Sequence, residues 1–282
     1  MSPAHQTESR QNLPEQPAAS PDPPVRRALA FILLTIALSI PFWIFGERSL
    51  PIPVRLPVSA FAAFNPMLAA LILVLLDEGP RGVIELFSRV LNYRKIQNRA
   101  WYLAILLLSP LVYVLSYAVM RLAGMPLPDP EIPLLMAPFF LAVFILFGIG
   151  EELGWTGYAI DPLQNRYGAL AAAAMLGVLW GLFHLIPDLQ NGQAADWILW
   201  QRLGSMFQRI LIVWIYNNTG KSVFSAVLFH AVNNLCWALF PNYGSHFNPM
   251  VTGLILMAVT GLVVTGWGSR TLSHFRLSRQ TS

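Results

Sequence analysis

Eight stretches of this chain, at about 28–46, 60–76, 101–120, 132–150 and beyond, 168–186, 197–217, 222–240 and 248–267, are almost purely apolar. A helix that crosses roughly 30 Å of hydrocarbon needs about 20 such residues. In lipid every backbone amide must bond within its own element, which restricts spanning segments to helices and closed barrels. Alternation of period two, the mark of an outer-membrane barrel, is absent from these runs. The expected fold is therefore all-α: a polytopic membrane protein with about eight transmembrane helices, forming one domain over 28–267 without an internal repeat. Overall composition agrees, with 55% hydrophobic and only 11% charged residues, a balance unlike that of a typical soluble domain.

The flanks read differently. Residues 1–27 hold six prolines among Ser, Gln and Glu and are expected to form a disordered cytoplasmic tail, with 268–282 a basic cytoplasmic tail. The run after Arg26 and Arg27 is long and lacks an evident cleavage site, so it reads as a retained first helix rather than a signal peptide. Orientation follows from Lys and Arg in the loops. With both termini inside, thirteen lie on the inner side (Arg10, Arg26, Arg27, Arg81, Arg89, Arg94, Lys95, Arg99, Arg166, Lys221, Arg270, Arg276 and Arg279) and four on the outer (Arg48, Arg55, Arg121 and Arg202). The expected setting is a multi-pass protein of the cell membrane with both termini cytoplasmic. The net charge of +4 is a topology signal, and no nucleic-acid partner is needed to explain it. The loop from Asp77 to Arg99 places apolar residues at helical spacing beside Arg89, Arg94 and Lys95, as in a helix lying in the interface as an anchor. The single Cys236 reads as packing.

Against this background the segment GEELGWTGY, Gly150 to Tyr158, is anomalous. Ionisable groups within spans are costly and rare. Two further spans carry His184, and His230 with Asn234 one helical turn on. If the fourth span continues to a turn near Asn165–Gly168, Glu151 precedes that turn by roughly 22 Å and His184 follows it by roughly 25 Å, so the two come level. His230 lies roughly 15 Å from the turn at Asn218–Gly220. These residues are expected to meet in one cavity open to the cytoplasmic side. Pro162 opposes the extension, since proline kinks or breaks a helix.

Three motifs in order, Glu151-Glu152, Trp180 to His184, and His230 to Asn234, resemble those of the CAAX protease and bacteriocin-processing (CPBP) family, which includes the Ras-converting prenyl-protein endopeptidase. The likeness runs from about Asn65-Pro66 to about residue 267. It implies an eight-span intramembrane endopeptidase acting on a membrane-associated, lipidated or unlipidated, peptide or protein substrate within the bilayer. By the same resemblance Glu151 looks like the residue that activates water, with Glu152 beside it and His184 as partner, while His230 and Asn234 look like the oxyanion pair.

Elementary chemistry agrees in kind, because peptide hydrolysis needs a base for water and donors for a tetrahedral oxyanion. No cofactor is expected. Zinc held by Glu151, His184 and His230 is the second mechanism, although no HExxH is present. A departure from the family pattern is Thr156, where the usual motif EExxxR has arginine. That departure favours the alternative function, a catalytically silent relative acting as immunity factor or membrane-protein scaffold. A transporter would show inverted repeats. Arg209, inside the sixth span, could supply the missing cation to Glu152, but lies roughly 13 Å from the inner turn. The expectation is that it snorkels to the interface instead.

Overall fold

A computed structural model of the protein describes residues 23–46, 48, 57–273 and 275. Each of the eight apolar runs coincides with a helix: α1 (Pro23–Ile44), α2 (Asn65–Ser88), α3 (Trp101–Leu122), α4 (Ala137–Gly154), α6 (Ala169–Phe183), α8 (Ala195–Asn218), α9 (Val223–Leu239) and α10 (Pro249–Trp267). Two short helices, α5 (Ile160–Tyr167) and α7 (Leu185–Gln190), complete the set. Among the described residues six segments are long and apolar enough to cross a membrane, and α9 is a shorter apolar helix. The 24-residue α8 is long enough, but Asp196, Arg202 and Arg209 make it less apolar. The protein is a polytopic all-α membrane protein. Its polarity is arranged accordingly: Leu33, Leu111 and Leu262 face outward, whereas Glu152, Arg209 and His230 are buried.

The span beginning with α4 does continue through GEELGWTGY, and its irregularity precedes Pro162. Trp155–Ala159 form a π-helical turn between α4 and α5, a feature that recurs at functional sites. Pro162 then occupies the first turn of α5, where an N–H is dispensable. A proline in this position offers no donor to the preceding turn. Arg89 Nη1 donates to the Gly157 carbonyl there, and Arg89 Nη2 donates to Tyr216 Oη at 2.7 Å. The basic segment 77–99 is thus fastened into the bundle and does more than lie on a surface. Gly79, at φ 72°, and Pro80 break α2 and turn it toward that contact.

α1 starts at Pro23 rather than 28, so 23–27 belong to the helix. Residues 1–22, expected to be disordered, lie outside the described residues. The beginning of the expected C-terminal tail is docked, not free: Leu272 is buried, Asn217 Nδ2 donates to the Thr271 carbonyl at 2.9 Å, and Ala169 N to that of Arg270 at 2.8 Å.

What brings α4 close enough to position its glutamates is a face of glycines. A Cβ at Gly154 would lie 2.4 Å from the Pro66 carbonyl oxygen, and one at Gly150 2.8 Å from that of Ala63. Backbone cannot retreat as a side-chain tip can. Gly154→Ala should therefore cost about 1–3 kcal/mol and lower the thermal unfolding midpoint in detergent. Gly261→Ala, where a Cβ meets nothing within 4 Å, should leave it unchanged or raised.

Candidate active site

Adjacent residues on an α-helix point about 100° apart, and that rotation separates the two glutamates. Glu152 turns into the interior toward α8 and α9, where it is fully buried. Its Oε2 accepts from Arg209 Nη1 at 2.7 Å and from Thr156 Oγ1. Its Oε1 lies 2.8 Å from His230 Nδ1. Arg209 is also fully buried, and its guanidinium stacks 4.4 Å from the ring centre of Trp180. The snorkelling expected for Arg209 is therefore overturned. A guanidinium with a carboxylate partner and an aromatic face is held in place, and reaching the interface would strand Glu152. α8 supplies in space the cation that position 156 lacks in sequence, and Thr156 contributes a hydroxyl to the same carboxylate.

Glu151 faces a cavity of about 380 Å³. Its Oε2 accepts from Trp180 Nε1. His184, at the junction of α6 and α7, has Nδ1 2.9 Å from the Trp180 carbonyl. A carbonyl only accepts, so Nδ1 carries the hydrogen and Nε2 remains available. His230, held through Nδ1 by Glu152, likewise presents Nε2. Glu151, His184, His230 and Asn234 all line this one cavity, as the depth arithmetic anticipated, with the indole of Trp180 touching both imidazoles edge-on at 5.6 and 5.3 Å between ring centres. Glu152 stands behind His230 instead of at the cavity wall.

Of its lining, Pro57 and Ser59, Pro187 and Asn191, Trp197, and Phe247 lie at the end where α1 finishes and α8 and α10 begin. The basic turns lie at the opposite end.

Three cavity residues had no role in the sequence reading. Trp180 entered as part of a motif, yet its indole is the hydrogen-bond partner of Glu151. Gln208 lines the cavity, and its buried Nε2 finds no hydrogen-bond partner among the described residues. Arg202 pairs with Asp188 at 3.0 Å in the cavity wall. Polar residues inside the sixth apolar run were the available signal for Gln208 and Arg202. For the zinc reading, no three His, Cys, Asp or Glu side chains among the described residues are grouped to hold a metal ion.

This is a polytopic membrane protein of the class that buries a carboxylate–imidazole cluster between its spans. Residues 133–236 match the family described as type II CAAX prenyl endopeptidase Rce1-like. Over 103 residues the chain is 31% identical to CAAX prenyl protease 2 of Methanococcus maripaludis, covering 34% of this chain and 38% of that protein. Residues 133–236 are thus similar to that family, and the matched stretch spans well under two thirds of the relative's length. Glu151, Glu152, His184, His230 and Asn234 all fall inside 133–236, a narrower span than the 65–267 expected from the motifs.

Removing one partner of a buried ion pair costs about 3–5 kcal/mol. Arg209→Ala should lower stability by that amount, measured by unfolding in detergent. Adding Thr156→Arg, which returns a cation one turn after Glu152, should recover much of the loss in the double variant.

Proposed function

We propose that this protein is an intramembrane endopeptidase that hydrolyses a peptide bond of a membrane-anchored substrate with a water activated by Glu151. The observation carrying this reading is the division between the glutamates: Glu152 is neutralised by Arg209 and braces His230, while Glu151 faces the cavity together with His184. In the proposed reaction, Glu151 takes a proton from water as its oxygen attacks the scissile carbonyl carbon. His184, whose Nε2 carries no hydrogen, accepts that proton from Glu151 and delivers it to the leaving amine as the C–N bond breaks. Asn234 Nδ2 and His230 Nε2 donate to the tetrahedral oxyanion. Donation from Nε2 requires a ring that carries both hydrogens, with Nδ1–H directed at the Glu152 carboxylate. Trp180 holds the Glu151 carboxylate toward the cavity through its indole N–H.

We further place both termini in the cytoplasm, on the distribution of Lys and Arg. Support for the activity comes also from the Rce1-like segment and from the relative whose name is CAAX prenyl protease 2.

Glu151→Gln keeps the side chain's shape and removes the base. Comparative proteomics of membranes should then show a substrate accumulating uncleaved and a product peptide missing, with folding intact. Turnover retained by Glu151→Gln would overturn the assignment. Trp180→Phe keeps the aromatic contacts but loses the N–H donor, and should lower kcat about 10-fold or more while leaving the unfolding midpoint close to wild type. A glutamate mechanism without metal predicts activity that persists in strong chelator. Activity lost to chelator and restored by zinc would favour the Glu151, His184 and His230 metal reading instead.

A further inference from the structure

Three side chains that line the cavity carry a buried polar atom without a hydrogen-bond partner among the described residues: Asp188 Oδ2, Arg202 Nε and Gln208 Nε2. The first two face each other at 3.0 Å as an ion pair. Gln208 has no such compensation. It is 5% exposed and lies inside a span, where an unpaired carboxamide is a standing cost to the empty protein. Neither the ion pair of Glu152 nor the proposed hydrolysis uses it.

Its place on α8 sets it beside the carboxylates. Gln208 directly precedes Arg209, which pairs with Glu152 at 2.7 Å and lies 4.4 Å from the ring centre of Trp180. Trp180 Nε1 in turn donates to Glu151. One residue is about 1.5 Å of helix rise and about 100° of rotation. Gln208 is therefore nearly level with Arg209 along α8, but turned from the ion pair to the cavity wall that it shares with Glu151. Gln201, Gly204, Ser205 and Gln208 all line the cavity, at the i, i+3, i+4, i+7 spacing of one helix face. That lane is roughly 10 Å long, the length of about three residues of extended chain. Ser205 Oγ donates back to the Gln201 carbonyl at 2.9 Å, so its hydrogen is already committed. The Gln208 Nε2, at the carboxylate end, is not.

We propose that Gln208 is a substrate-binding residue whose carboxamide hydrogen-bonds a backbone peptide group of the extended substrate next to the scissile bond. A carboxamide has one donor end and one acceptor end, as a peptide group does, and a half-turn about its last torsion exchanges them. It holds the chain by its backbone, whatever the side chains, and brings the scissile carbonyl to Glu151. A substrate peptide group that leaves water between the spans needs such a partner. The assignment rests on the endopeptidase reading above.

The test compares the full-length wild type, Gln208→Met and Glu151→Gln. Methionine keeps an unbranched side chain of similar length and removes both hydrogen-bonding ends. Because Nε2 has no partner in the empty protein, Gln208→Met should leave the unfolding midpoint in detergent unchanged or raised. A lowered midpoint would make Gln208 structural and overturn the proposal. The probe is a synthetic peptide spanning the cleavage site of the product absent from Glu151→Gln membranes. On it Gln208→Met should raise KM about 10-fold or more while kcat stays within about threefold, the pattern of a lost binding contact. The amides on either side of the scissile bond are then replaced by esters, one at a time. At one of the two positions the ester should raise KM for wild type by a similar factor and leave that of Gln208→Met little changed. A Gln208→Met protein with wild-type KM, or ester losses equal in both proteins, overturns the proposal, while cleavage of the peptide keeps the endopeptidase reading. If no product distinguishes wild-type from Glu151→Gln membranes, the endopeptidase reading itself fails and this assignment falls with it.

Discussion

A carboxylate and a guanidinium, both without exposure, meet at 2.7 Å between α4 and α8, and the rest of the interior is arranged around them. A buried pair of this kind contributes little net stability compared with well-packed apolar residues, because desolvation offsets the attraction. Its effect is on register. Slide α8 by one residue and Arg209 rotates about 100° away from Glu152, leaving two unmatched charges in a region without water. α9 is locked through His230 and α6 through the Trp180 ring under the guanidinium. Four helices are thus held in one relative arrangement by a contact whose alternatives are all expensive.

That arrangement explains why the sequence was legible in part. Hydropathy is a property of whole segments, and the eight runs reappear as helices because lipid permits few other solutions. Depth along a helix axis can be counted from turns, which is how Glu151, His184 and His230 were expected at one level. Azimuth around the axis cannot be counted across an irregular turn. Arg209 was judged by its distance to the interface alone, and the partner that holds it lies beside it, on another helix. Which loops border the cavity is likewise a matter of tertiary packing, among residues 57–59, 187–197 and 247.

Other omissions share a physical cause. Trp180 reads as apolar bulk in a span, and only the neighbouring carboxylate turns its N–H into a functional donor. The π-helical turn at Trp155–Ala159 leaves no compositional trace, since it changes the phase of the helix without changing the kinds of residue along it. Thr156, within that turn, is where a family-pattern argument and a structural one diverge. Sequence offers only the residue one turn on from Glu152, whereas in space the required positive charge arrives from another helix. A departure at one motif position is therefore weak grounds for calling a site inert when the charge it carried is present nearby.

The paired glutamates illustrate the same principle at closer range. Written side by side, Glu151 and Glu152 invite a reading as one acidic unit in which like charges repel. The helix gives them separate environments. Glu152 is surrounded by Arg209, Thr156 and His230, so its charge is matched and its two oxygens are occupied. Glu151 faces a cavity with an indole N–H at its back. Neutralising the first removes much of the repulsion that would otherwise act on the second, and fixing His230 through one nitrogen leaves the other facing the same cavity. A carboxylate committed to structure is what allows its neighbour to remain available for chemistry, and the cost of burying the first is bearable only because α8 brings Arg209 to it.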